Sequence, residues 1–348
     1  MRRLAKTGVA RALHAARVDA WLAARSGTAS RPLVLGYHRV VAEPADARRW
    51  LPGMSVSRAT LERQLDWVGR RCRFATLDEL AEPPAGGRPL AAVTFDDGYA
   101  DVHENALPLL RRKGIPAAIF VVSDLVGGER LLLHDRLYLA LRTAFASGER
   151  TRARLAGAFP TRASGPLPRH AFAATQHLLR RVPRDVLLRS VVALEAELGA
   201  PRSSELRLVS WAMLREMSGA GFTIGSHTRS HALLTLEEPA RVREELAGSR
   251  RALEAVLGAP VRHFAYPDGR FDAAVVSAVA EAGYRRAYTT CGHTDPRRPE
   301  LTLPRRLLWE QSSLDHRSRF SGAIMGCFVN GVFDLVTPCR ERHGEQRA

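Results

Sequence analysis

At 348 residues, with 45% hydrophobic side chains and a mean hydropathy of −0.17, the chain can bury a large core, and it has no run of about 20 apolar residues that could cross a bilayer. A formal charge of +16 and an isoelectric point near 10.9 point at first to nucleic acid or an anionic surface. Lys6 and Lys113 are the only lysines, however, and the arginine- and alanine-rich skew is one that a GC-rich genome produces; with no zinc-finger spacing, RNA-binding signature or clear helix-turn-helix, no nucleic-acid partner is expected.

Residues 1–30 predict a basic amphipathic helix in which Leu4, Val9, Leu13, Val18, Trp21 and Leu22 mingle with Arg2, Arg3, Lys6, Arg11, Arg17 and Arg25. That pattern suits packing on a domain and lying on an anionic membrane equally well. No uninterrupted apolar segment precedes His14, Arg17 and Asp19, which argues against a cleaved secretory signal. Residues 33–40 form the first strand candidate. Ser57 caps a helix whose Leu61, Leu65 and Val68 share one face, a shorter helix begins at Thr76, and Pro83, Pro84, Gly86 and Gly87 make a loop.

Residues 91–95 read as a buried strand that runs straight into Asp96, Asp97 and Gly98. From Val102 to Lys113 the pattern is helical, Gly114 is a natural C-cap, and residues 117–122 form a buried strand. Helix, glycine and strand recur at 211–220, Gly221 and 222–224, and again at 272–282, Gly283 and 284–289. This alternation predicts a parallel sheet wrapped by helices, with the chemically interesting residues just after strands, as at the C-terminal face of a β/α barrel. Residues 123–208 break the alternation. Helical around 131–145 and 185–198 with Gly/Pro/Ser loops between, they predict an insertion leaving the barrel rim, as a lid, a carbohydrate-binding wall or a surface facing anionic lipid. Residues 321–336 are apolar but too short to span a membrane and predict a packing helix, with an interfacial helix as the second reading. Cys72, Cys291, Cys327 and Cys339 are scattered with no C-x-x-C pair and read as reduced thiols.

Two stretches carry chemistry. Carboxylates are costly inside a core unless something positive binds them, so Asp96 and Asp97 at a strand's end invite a metal or a proton; an Asp-Asp-Gly turn is the plainer reading of the tetrapeptide alone. Far downstream, a second strand-like run delivers His227 and His231, four positions apart. Either histidine alone reads as a surface or hydrogen-bonded residue. Two imidazoles and one aspartate, however, make three protein ligands with a position open for water, as in catalytic zinc sites.

Thr94-Phe95-Asp96-Asp97-Gly98 and His227-Thr228-Arg229-Ser230-His231 resemble the first two motifs of the polysaccharide deacetylases, the NodB-homology or carbohydrate esterase family 4 group. The resemblance runs over roughly residues 32–309, broken between about 123 and 208. It implies a distorted (β/α) barrel of about seven strands with a helical insertion, with Asp96 as general base and Asp97, His227 and His231 as metal ligands. The Tyr37-His38 pair and the stretch Phe264-Ala265-Tyr266-Pro267 resemble signatures of one subgroup, which implies a histidine, His38, at the site's edge.

The chain also departs from the family pattern. In the third motif Ala265 holds the usual arginine's position and Asp268 the tyrosine's, so the arginine that orients the base must come from elsewhere; Arg305 and Arg306 are the candidates, although a surface charge is the plainer reading of either. The late leucine-histidine motif has no clear counterpart, since His316 in Leu314-Asp315-His316-Arg317 matches poorly. His38 is therefore the preferred general acid, a backbone N–H near Tyr99 the oxyanion donor, and Tyr266, Asp268 and Arg305 substrate-facing or orienting residues.

The domain organisation expected is a basic segment at 1–30, a barrel at 31–122 and 209–310, an insertion at 123–208 and a helical extension with tail at 311–348. The function expected is a metal-dependent hydrolase, zinc first with cobalt, nickel or manganese as alternatives. Its substrate would be an N-acetylated amino-sugar poly- or oligosaccharide or a lipid-linked precursor. Alternatives are a small-molecule amidase and a glycan-binding protein with a vestigial site. A cytoplasmic location with peripheral contact at the inner membrane fits the absence of an export signal; no oligomeric state is assigned.

Overall fold

A computed structural model of the chain describes residues 2–25, 31–48, 50–81, 87–147, 159, 167–199, 203–335 and 339. The loop expected at Pro83, Pro84 and Gly86, most of the loop inside the insertion and the tail beyond Cys339 lie outside the described residues.

The frame is a single curled parallel sheet. The strands along its path are β1 (Leu33–Tyr37), β2 (Leu90–Phe95), β3 (Ala117–Val121), β4 (Thr223–Ser226), β5 (His263–Ala265), β6 (Arg286–Thr289), β7 (Leu303–Pro304) and β8 (Arg306–Leu307), and a two-residue strand, Arg73–Phe74, pairs with β2 off that path. β2 and β3 are buried at every position, because helices cover one side and the barrel interior the other; hence their continuous apolar runs. β2 pairs with β1 from Leu33 beside Ala91 to Tyr37 beside Phe95, and on its other side with β3. β4, β5 and β6 follow in order. β7 pairs with β6 and β8 with β1, and only Arg305 separates them in the chain. The sheet's two ends are thus consecutive pieces of one broken strand, and the barrel closes nearly completely at Arg305. With β7 and β8 counted as one stave and Arg73–Phe74 left beside the path, the barrel has the seven strands expected.

Period-two alternation sorts the strand residues between two cores. Val34, Ala92, Ala118, Phe120, Ala265 and Tyr288 form a small interior cluster. Leu35, Val93, Phe95, Ile119 and Phe264 face outward into the larger core shared with the helices. Those helices have the starts the sequence implied: Ser57 Oγ accepts from Thr60 N–H ahead of Arg58–Gly69, and Asp272 caps Ala273–Glu281 through Val275 N–H.

The N-terminal segment differs from the expectation of one helix. It forms α1 (Arg2–Ala15) and α2 (Val18–Arg25), broken where Arg17 adopts a left-handed φ of +58°. The inner face of α1 packs through Ala10 on Ile324 and Cys327, carried by a later helix (Gly322–Val329) that fulfils the packing role expected of residues 321–336. Within 123–208 lie α3 (Leu133–Ala146), α4 (Ala171–Leu179), which the sequence pattern did not announce, and α5 (Arg184–Leu198). Leu137, Leu141, Leu178 and Val191 give them a core of their own, and Arg136 clamps α3 to α5 by two hydrogen bonds to Glu195, of 2.8 and 2.6 Å. No described helix is long and apolar enough to cross a membrane.

Candidate metal centre and active site

Ala92 and Thr94 lie on one face of β2, and the same alternation carried one residue past the strand's end aims Asp96 into the barrel mouth. The turn that follows needs Gly98: its φ is +81°, and a Cβ there would sit 3.1 Å from the Val121 side chain. Asp97, Thr228 and His231 have φ of +73°, +67° and +61°. Left-handed backbone at non-glycine residues costs about 1–3 kcal/mol each, and such strain concentrates at functional sites.

The two halves of the site, from β2 and from the loop after β4, meet at Asp97. Its Oδ1 lies 3.2 Å from His231 Nε2 and 3.6 Å from His227 Nε2. The His227 ring is aimed by Nδ1, 2.7 Å from the Ala265 carbonyl, which leaves Nε2 toward the carboxylate. The loop carrying His231 is bolted to a long helix, α6 (Pro239–Leu257), by buried Glu245, whose Oε2 accepts the N–H groups of Arg229 and Ser230 at 2.9 Å each.

Asp96 has a different environment. Arg305 reaches from the barrel seam and donates Nη1 to Oδ1 and Nη2 to Oδ2, both at 2.7 Å. Nη1 also lies 3.1 Å from Thr94 Oγ1, and both residues are buried. Burial pushes the Asp96 carboxyl up, but the Arg305 charge, with smaller help from His227 and His38, outweighs it and holds Asp96 below the ordinary carboxylate range. Of the two arginines considered, Arg305 is therefore the one beside Asp96; Arg306 is partly exposed and pairs with Asp334.

Asp97 is 1% exposed, and neither of its oxygens has a hydrogen-bond donor in good geometry among the described residues. Burial raises its pKa, yet the imidazoles of His231, His134 and His38 bring it well below the usual range. Burial takes His227 down to about 4, so that imidazole is neutral and has a lone pair to give. A buried carboxylate ringed by imidazoles, with no donor in good geometry among the described residues, fits a divalent cation, and this oxygen-and-nitrogen set suits zinc or its first-row neighbours.

The insertion adds a group that sequence reasoning missed. His134, at the start of α3, places Nε2 3.8 Å from Asp97 Oδ2, and its ring lies 5.0 Å from that of His231. Asp97, His134 and His231 can each offer a ligand atom within 4.8 Å of the others. Tyr99 holds this corner: its hydroxyl donates to Asp135 Oδ2 at 2.7 Å and lies 2.9 Å from His134 Nε2. Tyr99 also forms a non-hydrogen-bonded antiparallel pair with Leu208, flanked by Ala100 N–H to Arg207 C=O and Val209 N–H to Gly98 C=O, which turns its own N–H away from the 208 segment.

The other candidates are placed as follows. His38 follows β1 and is half-buried, near enough for its charge to lower both Asp96 and Asp97. Tyr266 is not at the site, contrary to expectation: its ring is in the core and its hydroxyl donates to the Leu301 carbonyl at 2.8 Å. Asp268 does not orient the base either. It sits at the rim with φ +55° and pairs with Arg180 of the insertion at 3.0 Å. His316 lies elsewhere, its N–H bonded to Thr7 Oγ1.

The sequence model of a family described as polysaccharide deacetylase matches residues 84–287, more than half of the chain and inclusive of Asp96, Asp97, His227 and His231. The chain belongs to the polysaccharide deacetylase family. Relatives in that family match over shorter stretches. A poly-beta-1,6-N-acetyl-D-glucosamine N-deacetylase of Staphylococcus aureus is 31% identical over 109 residues, 28% of this chain and 38% of that protein. YxkH of Bacillus subtilis, named for the same family, is 19% identical over 198 residues, 57% of this chain. The chain thus spans less than half the length of these curated relatives, 43% of the Bacillus protein and 38% of the Staphylococcus one. Among solved structures, IcaB from Ammonifex degensii superposes with a TM-score of 0.52 at 20% identity, covering 86% of this chain and 97% of that one. Streptococcus pyogenes PplD, a deacetylase solved with acetate, gives 0.52 at 17% identity, covering 81% and 94%. The shared architecture is the distorted (β/α) barrel of NodB-like deacetylases.

Proposed function

We propose that the chain is a divalent-metal-dependent hydrolase that removes N-acetyl groups from amino sugars in a poly- or oligosaccharide or its lipid-linked precursor. The observation that carries this is Asp97, a buried carboxylate with no well-aligned hydrogen-bond donor among the described residues, set between imidazoles and next to a second carboxylate gripped by an arginine.

Asp97, His227 and His231 would hold the ion, zinc first. Bound there, it supplies Lewis acidity that polarises the acetyl carbonyl and makes water acidic enough to attack at neutral pH. Asp96 takes the proton of the attacking water, and Arg305 keeps it ionised and fixes the direction of its lone pairs. The Tyr99 N–H takes up charge developing on the acyl oxygen. His38 gives a proton to the departing nitrogen as the C–N bond breaks, so that one water, divided between acyl carbon and amine, yields acetate and a free amino sugar.

The name of the Staphylococcus relative supports β-1,6-linked poly-N-acetylglucosamine as the first substrate to test. Leu4, Val9 and Trp21 are 60%, 56% and 58% exposed on α1 and α2, interleaved with exposed Arg11, Arg17 and Arg25; this supports contact with an anionic membrane, its inner face in the present proposal, where a lipid-linked saccharide would be met. A vestigial binding site is less well supported, because Arg305 supplies Asp96 with the partner that the third motif lacks. The test is acetate release from N-acetylated β-1,6-glucosamine oligomers, chito-oligosaccharides and small acyl amides by the wild type and Asp96→Asn. Turnover of one sugar series by the wild type, with the variant retaining metal but inactive, supports the proposal. Turnover of the small amides alone, or an active variant, contradicts it.

A further inference from the structure

Away from the Asp97 centre, the fold brings together three groups that lie far apart in the sequence. Cys291 and His293 sit in the loop that leaves β6, and Cys339 lies beyond the Gly322–Val329 helix. One sulfur from each cysteine and a ring nitrogen of His293 all lie within 4.8 Å of one another. Both cysteines are half-buried and neither is in a disulfide, while His293 is exposed and open to solvent. Around a tetrahedral zinc, sulfur and nitrogen ligands stand ~3.4–3.8 Å apart, so modest side-chain rotation would bring all three onto one ion.

We propose that Cys291, His293 and Cys339 form a second zinc site, independent of the catalytic reading, that clamps the C-terminal segment onto the loop after β6. Two thiolates and an imidazole are a softer donor set than the carboxylate and imidazoles around Asp97, and they select zinc over magnesium, calcium or manganese. Binding makes two Zn–S bonds and one Zn–N bond and releases the two thiol protons to solvent, with no change of oxidation state. The fourth position falls to water or to another side chain.

The location gives the clamp a purpose. Cys291 is two residues from Thr289, whose carbonyl accepts the Arg305 N–H at 3.1 Å and Nε at 3.4 Å, and whose hydroxyl donates to the Gly269 carbonyl at 2.7 Å. A fixed loop at Cys291 therefore steadies the seam from which Arg305 reaches Asp96.

The test uses the full chain, stripped with chelator under reducing conditions and titrated with Zn²⁺, then with Co²⁺ as a spectroscopic probe. Two equivalents of zinc for the wild type, one for Cys291→Ser, and a sulfur-to-cobalt charge-transfer band that Asp97→Asn keeps and Cys291→Ser loses, are the results expected. His293→Ala, changed at an exposed position, should weaken zinc at this site at least tenfold. If Cys291→Ser fails to fold, the wild-type cobalt spectrum and His293→Ala still decide. A wild type that binds one equivalent without any sulfur-to-cobalt band would overturn the proposal, as would a Cys291–Cys339 disulfide in protein purified without oxidant.

Discussion

Arg305 meets Asp96 with two parallel hydrogen bonds of 2.7 Å, although 209 positions separate the two residues in the chain. The pairing follows from closure of the barrel, because Arg305 is the one residue between the strand fragments on which the sheet's two edges end. A two-point grip of this kind fixes orientation as well as charge.

Replacing Arg305 by Met leaves the Asp96 carboxylate buried with its main counter-charge gone. Unfolding free energy should fall by about 3–5 kcal/mol, and kcat by roughly a hundredfold or more, the usual worth of a positioned base. With its main opponent to burial gone, the Asp96 pKa rises, so the base is protonated at a higher pH and the acid limb of kcat/KM moves upward. Arg305→Lys, which keeps charge but not the fork, should lie between. A pH–rate profile with an unmoved acid limb in Arg305→Met would show that the arginine does not set the base.

Much of this site could be read from the chain because it is local. Asp96-Asp97-Gly98 directly ends one strand, and His227 and His231 directly follow another, so two short windows contain both the strand signal and the chemistry. The alternation of helix, glycine and strand gave the barrel for the same reason. Arg305 could be named only as one of two candidates, since its role depends on where the sheet closes, and 52 basic residues, nearly all arginine, offer no contrast. His134 was invisible because its segment has no periodic relation to the barrel; the nearest signal was the His134-Asp135 pair itself. Tyr266 was misjudged because the subgroup motif marks the loop correctly but does not say which way the hydroxyl points, here into the core toward Leu301.

In the proposed centre, His134 would shape the surroundings of the cation from the insertion side. His134→Gln should reduce zinc affinity at the Asp97 centre by about ten- to a hundredfold, the usual effect of a group that tunes a metal's surroundings. Competition with a chromophoric chelator, in a background lacking Cys291, measures this; an affinity equal to that of the background protein would remove His134 from the centre.

His263 provides a pH test outside the proposed ligand set. Its ring is buried between the Tyr288 hydroxyl and Asp78 Oδ1, each 3.1 Å away, and burial lowers its pKa despite the Asp78 charge. The folded state then binds the proton more weakly than the unfolded chain, whose histidine titrates near ~6.5. This contribution to stability is intact above that pH and is lost as pH falls below it toward the folded value. Urea unfolding at pH 7.5 and 5.5 should show a smaller loss on acidification for His263→Gln than for the wild type; an equal or larger loss in the variant contradicts this.

The outward face of α1 and α2 should bind vesicles containing anionic phosphatidylglycerol in a salt-sensitive way and should ignore neutral phosphatidylcholine ones. Trp21→Ser, changed at a residue 58% exposed, should weaken co-sedimentation several-fold without shifting the melting temperature. Wild-type protein that stays in the supernatant with anionic vesicles at low salt would rule out the membrane contact.

The most direct test of the catalytic proposal is acetate release from N-acetylated glucosamine oligomers, followed through one cycle of chelation and zinc restoration on a single preparation. Activity should disappear with chelator and return with added zinc, while the same cycle on Asp97→Asn yields no acetate at any stage. Acetate release that persists in the chelated protein, or that Asp97→Asn retains, would contradict a cation held by Asp97, His227 and His231 beside the Asp96 base.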